Sequence, residues 1–434
     1  MTGSPLLEEL RLPAFKSFRN ATLPLRDLTL LIGRNGSGKS NAIDGLQVLA
    51  NLAEGEDIRD AIDGGRRDSP EVRGGARGCA PFGEERFALG CRVRAGNEAF
   101  DLDVVIQVDP DVQIVEERLR FEDGGEGRNL LATETPDPER ADILARYDNG
   151  KTGLNPALPF RSTRLLTTQV ATKVPTSTKA MQRVHRGAEA IVEALRAVFV
   201  LDPVPSLMRQ YVPARDSLLR RQADNLSAAV GALKSEPETW ARLRELVQSL
   251  PEQPVDDISL QSSPLGDVIL ALEERLGRKA VPVSARVVSD GMLRFLAFAT
   301  ALLGAPLLDQ DTGGGEEHTM LVIEEVENGL HPSQAARLVG LIKSESERRR
   351  VRTLATTHSP PILTALLPED HGGVVLCDRD AETGTSRIRR LVDIPAYTRA
   401  MAAGSLGDAI TRGRFEDGAN GDGALRELDK ILNG

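Results

Sequence analysis

Gly33, Arg34, Asn35, Gly36, Ser37, Gly38, Lys39 and Ser40 follow one another in the pattern G-x-x-x-x-G-K-[ST]. Glycines at this spacing let successive backbone N–H groups curl around a phosphate, and a helix starting at the lysine adds the positive end of its dipole. In that arrangement Lys39 bridges the β- and γ-phosphates of ATP, and the Ser40 hydroxyl ligates Mg²⁺. Asn41 continues the loop and is counted with the phosphate-binding group. A chance glycine-rich turn has no reason to carry such flanks: the apolar run Asp27–Ile32 precedes the pattern, and helical spacing from Ser40 to Leu52 follows it.

The second constellation is Met320-Leu-Val-Ile323, an apolar strand ending in Glu324 and Glu325. Successive strand residues face opposite sides, so the two carboxylates cannot share one task. Glu324 is assigned to the Mg²⁺ shell and Glu325 to polarising the attacking water. The next apolar strand, Val351–Thr356, leads to Thr357-His358-Ser359, and places the His358 imidazole at the carboxyl edge of a sheet, where α/β proteins bind ligands. That position favours a γ-phosphate contact. Ser289, Asp290 and Gly291 cap the apolar helix Met292–Leu303 and present a further N-terminus that attracts anions.

These groups need a scaffold that brings strand ends together. From Ser289 onward the pattern alternates helix and strand: a helix to Leu303, strand 319–323, a helix from Pro332 to about Arg349, strand 351–356, a helix from Pro360 and strand 374–377. Alternation of this kind implies a parallel sheet flanked by helices. Short β-like runs between 87 and 121 predict an antiparallel meander, whereas 122–182, rich in Pro, Thr and charge, reads as long loops. Val184–Phe199 reads as a helix running into a strand; Asp216–Leu233 and Glu238–Leu250 read as a helical hairpin. Residues 255–288 lean towards short strands, with helix as the alternative for Asp267–Leu276.

Across 434 residues, 54 lysines and arginines stand against 64 acids, a net charge of −10, which argues against a uniformly basic nucleic-acid coat. The longest apolar run, Leu296–Leu308, falls short of the ~20 residues of a spanning helix, and the acidic start lacks a basic leader segment. A cytoplasmic protein without a membrane partner is expected. Cys79, Cys91 and Cys377 are scattered, as free thiols would be.

Taken in order, Phe15-Lys-Ser-Phe18, the loop at 33–41, Ser289–Gly291, VIEEVENGLHP at 322–332 and ATTHSP at 355–360 resemble the ABC-type ATPases of the SMC, RecF and OLD group, above all AAA-family ATPases of bacterial anti-phage defence loci. The resemblance implies an α/β fold: an ABC-type P-loop core with a mostly parallel sheet, an antiparallel β subdomain and a helical insertion. The ATPase head is expected to be discontinuous, 1–213 and 255–400, with the β subdomain at about 70–121, the hairpin insertion at 214–254 and a tail at 401–434. It further implies an ATP sandwich, a homodimer or higher homo-oligomer. There, Ser289, Asp290 and Gly291 of one protomer cover the nucleotide held by the other, with Asn328–His331 at the interface. Glu324 stands where an aspartate is commoner, Val326 where proline is frequent, and Asp290 within a cap that is Ser-Gly-Gly in transporters, which argues against a transporter subunit.

Two functions compete. One is a Mg²⁺-dependent ATPase that controls a separately encoded, nuclease-like effector in anti-phage defence, since only about fifty residues follow Cys377, fewer than a nuclease domain needs. The other is a RecF/SMC-like ATPase that binds duplex DNA in repair or chromosome maintenance. Clusters at Arg73/Arg77, Arg161/Arg164, Arg220/Arg221, Arg348–Arg352 and Arg387–Arg390 could then meet phosphates. A plain P-loop kinase or GTPase fits less well, because no Asn-Lys-x-Asp string is present.

Overall fold

The computed structural model describes residues 4–64, 71–123, 126–137, 142–250, 254–277, 279–304, 320–349, 351–380 and 382–415. A hairpin of β1 (Leu6–Phe15) and β2 (Phe18–Pro24) precedes β3 (Leu28–Ile32), which runs through the glycine loop into α1 (Lys39–Ala53). The short helices α2 (Ile58–Asp63) and α3 (Gly75–Cys79) lead to a meander of β4 (Arg86–Ala95), β5 (Glu98–Gln107), β6 (Gln113–Asp123), β7 (Glu126–Thr133), β8 (Asp142–Tyr147) and β9 (Ala157–Arg161). Helices α4 (Leu166–Lys173) and α5 (Lys179–Arg196) return the chain to β10 (Val198–Leu201).

A smaller unit follows: α6 (Pro205–Met208), β11 (Val212–Pro213), α7 (Leu226–Ala232), α8 (Pro237–Gln248), β12 (Val255–Ser262), β13 (Asp267–Leu276) and β14 (Lys279–Ser284). The alternating part comprises α9 (Asp290–Leu303), β15 (Met320–Ile323), α10 (Pro332–Arg349), β16 (Arg352–Thr357), α11 (Pro360–Thr364), β17 (Val374–Arg379) and β18 (Ser386–Arg390), and ends in α12 (Tyr397–Ala402) and α13 (Leu406–Thr411).

Fourteen strands form one mixed sheet, in the order β10-β15-β16-β3-β17-β18-β2-β1-β4-β5-β6-β7-β8-β9. The first five pair in parallel, and this is the part that carries the glycine loop, the acidic pair and His358. Strand alternation splits its side chains between two cores. Leu31, Val322, Leu354 and Val375 join α1 and α5 on one face; Leu30, Ile32, Leu321, Ile323 and Ala355 join α9 and α10 on the other. Helix α9 is apolar nearly all round and correspondingly buried along its length, as an interior helix must be.

Two expectations need correction. The antiparallel part continues through β7, β8 and β9 to Arg161, so 122–182 is not mostly loop: strands such as Asp142–Tyr147 bury alternate residues even though their other face is polar. Helix does not begin at Asp216, because the Asn225 side chain donates to the carbonyls of Asp216 (2.8 Å) and Leu218 (2.5 Å) and accepts from the Arg220 N–H (3.0 Å), holding a compact turn in place of a helix. Residues 267–276 are strand, paired on both sides by β12 and β14. The end of the expected tail, residues 416–434, lies outside the described residues, as does Arg350. Among the described residues no helix is long and apolar enough to cross a membrane.

Candidate nucleotide site

β3, β15 and β16 are neighbours, so parallel pairing brings their carboxyl ends side by side: Ile32 pairs with Thr357 and Ile323 with Ala355. The glycine loop, the acidic pair and His358 therefore meet at one sheet edge, as the strand-end reasoning requires. Gly33 has φ +156° and lies so close to β17 that a Cβ there would stand 2.1 Å from the Cys377 carbonyl oxygen; no other residue fits. The loop is tied down from behind: the Ser37 carbonyl accepts from the Ser386 hydroxyl (2.6 Å) and the Cys377 thiol (3.3 Å), and the Asn41 amide donates to the Ser17 hydroxyl (2.8 Å). Arg34, Asn35 and Gly36 are exposed at its tip, beside a cavity of about 540 Å³ that reaches β17 and β18.

The Lys39 ammonium donates to the carbonyls of Gly33 (2.6 Å) and Arg34 (3.1 Å) and is buried. Burial lowers its pKa, while Cys377, Glu325 and Glu327 act in the opposite direction. The buried Ser37 hydroxyl has no hydrogen-bond partner among the described residues. The Ser40 hydroxyl donates to Glu324 Oε2 (3.3 Å). A hydroxyl and a carboxylate in contact are the hard oxygen donors that Mg²⁺ takes, and a loop with a buried cation and an orphaned hydroxyl suits an anion. ATP and Mg²⁺ thus fit the residues present.

Glu324 and Glu325 do diverge. Glu325 is exposed at φ +47°, a left-handed conformation that a non-glycine residue holds only when its surroundings impose it, here through the Glu325 N–H bond to Thr356 Oγ1 (2.8 Å) and the Val326 N–H bond to the Thr356 carbonyl (3.0 Å). His358 stands at the neighbouring strand end, its backbone N–H and its Nδ1 both on Glu327 Oε1 (2.7 and 2.9 Å).

The third expected group is placed differently. Ser289 caps α9 by accepting from the Met292 N–H (3.3 Å), Asp290 is paired with Arg209, and Gly291 lies against the turn after the acidic pair. A Cβ on Gly291 would stand 2.2 Å from the Gly329 carbonyl oxygen. These contacts are with Met292, Arg209 and Gly329, not with Lys39 or Ser40.

Sequence reasoning gave no site role to Arg73, Asp44, Lys16 or Glu327, which join the site. Arg73 bridges Asp44 Oδ1 (2.9 Å), Glu324 Oε1 (2.9 Å) and the Ser40 carbonyl (3.0 Å), and Lys16 holds the other Asp44 oxygen (2.7 Å). Asp44 carried a signal, since it lies four residues after Ser40 and so on the same helix face. Arg73 carried none beyond membership of a basic cluster. Other arginines of those clusters are also paired within the chain: Arg77 with Asp109, Arg220 with Asp216 and Asp224, Arg352 with Asp27, Arg387 and Arg389 with Asp378, and Arg390 with Asp393.

The family described as "AAA domain, putative AbiEii toxin, Type IV TA system" matches residues 28–364, from the strand before the glycine loop to the helix after His358. The chain belongs to this AAA-domain family. Over 89 residues, 20% of the chain, it is 30% identical to an endonuclease MutS2 of Lachnoclostridium phytofermentans, and it spans 11% of that relative's length. Among solved structures the AAA-domain chain is similar to an SMC head bound to the C-winged helix domain of ScpA, at 14% identity and TM-score 0.46, covering 88% of this chain and 97% of that one. It is also similar to the SMC head domain from Thermotoga maritima (14%, TM-score 0.42, 89% and 98%) and to the recombination mediator RecF with ATP (11%, TM-score 0.38, 82% and 94%). Cys79, Cys91 and Cys377 are free and buried, and among the described residues no cluster of His, Cys, Asp and Glu could hold a metal by itself.

Proposed function

We propose that this chain binds ATP with Mg²⁺ and hydrolyses it between two copies of itself, and that the cycle controls a separately encoded effector in bacterial anti-phage defence. The observation that carries the ATPase reading is the convergence of Lys39, Ser40, Glu324, Glu325 and His358 on three adjacent strand ends. Lys39 and the loop amides bind the phosphates. Ser40 and Glu324 would hold Mg²⁺, which supplies neutralisation of charge at the phosphate oxygens. Glu325, exposed and held out from the strand by its left-handed backbone, polarises the attacking water; His358 donates to the γ-phosphate. Gly291 lies against the chain's own turn at Gly329, while Ser289 and Asp290 are exposed at the start of α9, which suits a cap that serves the nucleotide of the partner protomer.

The family description, which names a toxin of a Type IV TA system, supports the defence role. Pairing of Arg77, Arg220 and Arg389 with the chain's own carboxylates leaves these three less to offer duplex DNA. The test of catalysis is Glu325→Gln, which keeps the shape and removes the charge: Mg²⁺-ATP binding should persist while turnover falls about 100-fold. If Glu324→Gln traps ATP and Glu325→Gln loses Mg²⁺-ATP, the two roles are reversed. For the biological role, expression of the locus should lower phage plaque counts and Lys39→Ala should abolish the effect. A change in survival of DNA damage with no change in plaque counts favours the RecF/SMC-like alternative.

A further inference from the structure

Resting on the ATPase reading of the site, we infer that Glu327 is the positioning residue of His358, selecting which ring nitrogen faces the nucleotide and supplying the counter-charge for the imidazolium. Glu327 lies in the turn two residues after Glu325, and its side chain is only 11% exposed. Its Oε1 accepts from the His358 backbone N–H at 2.7 Å and stands 2.9 Å from His358 Nδ1, so a single oxygen holds both the main chain and the ring. A carboxylate has no proton to give. It therefore favours a hydrogen on Nδ1 and leaves Nε2 to meet a ligand from a ring that is 53% exposed.

The second oxygen supplies an independent observation. Glu327 Oε2 is buried and has no hydrogen-bond partner among the described residues. A desolvated carboxylate with half its acceptors unused is unfavourable, and such an orphan persists where the charge has a use. Here that use is at the ring: a neutral His358 would present the Nε2 lone pair to a phosphate oxygen and repel it, whereas the imidazolium, neutralised at Nδ1 by Glu327, donates from Nε2. Because Glu325 and Glu327 share one turn, the same contact also sets the separation between the water-polarising carboxylate and the imidazole.

The test compares the parent with Glu327→Leu, Glu327→Gln, His358→Ala and the Glu327→Leu/His358→Ala double variant. Steady-state ATPase kinetics are followed together with ¹⁵N NMR of the histidine ring nitrogens in the full chain. Glu327→Leu should lower kcat about 10- to 100-fold with KM for ATP within twofold of the parent, and should shift the His358 ring away from the Nδ1–H form. Glu327→Gln keeps an accepting oxygen but carries no charge, so it should hold the ring in place and yet recover at most a few-fold of the loss. The double variant should be no slower than His358→Ala alone. Additive losses, or a ring tautomer indifferent to Glu327→Leu, overturn the inference. So does a Glu327→Gln variant as fast as the parent. A parent that neither binds nor turns over Mg²⁺-ATP overturns the ATPase reading instead, while the ring spectra still decide the Glu327–His358 pairing.

Discussion

Lys39 is bound by its own loop: two backbone carbonyls hold the ammonium where the loop amides converge. In the proposed site Lys39→Ala removes the cation that would meet the phosphates, and loss of its charge-assisted contacts to them, worth about 3 kcal/mol, corresponds to about 100-fold in affinity. Calorimetric titration with Mg²⁺-ATP checks this, and an unchanged Kd would remove Lys39 from the phosphate site. Residue types and spacing were enough to bring Lys39, Ser40, Glu324, Glu325 and His358 to one sheet edge, because each sits beside an apolar strand whose direction the sequence reveals. Arg73 and Glu327 were not legible in this way. They reach the site through turns, and a turn has no periodicity from which the direction of a side chain can be read.

Elements are held together by contacts that composition conceals. Glu117 of β6 is fully buried and accepts from the Leu166 N–H (2.7 Å), the Thr167 N–H (2.6 Å) and the Thr167 hydroxyl (2.6 Å), which anchors the start of α4 on the sheet. Burial pushes the Glu117 carboxyl up from 4.5 to about 7 against those bonds. An acid whose folded pKa is raised contributes stability that is complete below 4.5 and is lost as pH rises through about 7. Glu117→Gln turns an amide NH₂ towards an N–H donor, so it should destabilise by about 1–3 kcal/mol. It should also remove this fall of stability between pH 4.5 and 7, read from denaturant midpoints across that range. At α9, Gly291→Ala sets a methyl against the Gly329 carbonyl oxygen; the forced separation of helix and acidic turn should cost about 1–3 kcal/mol and lower turnover. Asp290→Ala loses a pair at an exposed carboxylate and should change stability by less than about 1 kcal/mol. Equal melting temperatures for the two variants would mean that the close approach at Gly291 is not maintained in solution.

At the scale of the whole molecule, the proposed ATP sandwich raises the question of which copy Ser289, Asp290 and Gly291 would serve. Ser289 is exposed at the N-terminus of α9, so Ser289→Glu keeps the fold and adds negative charge where a nucleotide would arrive. Alone it should bind Mg²⁺-ATP and fail to turn it over. Mixed with Lys39→Ala, which supplies an intact cap but no phosphate site, it should recover part of the parental rate, because a mixed dimer holds one complete composite site. No recovery in a demonstrated mixed assembly would indicate a cap acting within its own chain, or two sites that fire only together.

Within the amino-acid sequence alone lay the glycine loop between strand and helix, the parallel β15–α10–β16 succession and the strands of 255–288, since each rests on local geometry: turn chemistry, the two-residue period of strands and the spacing of helices. Tertiary structure decided the rest. The antiparallel sheet runs on to Arg161 because polar edge strands, uninformative one by one, become stable when each pairs with a neighbour already in place. It also decided that Asn225 folds back on Asp216 and Leu218 in place of a helix, that Arg73 crosses to Glu324, 251 residues away in the chain, and that Glu327 meets His358. These are contacts between segments remote in sequence, and no local pattern encodes a partner that only the closed sheet brings within reach.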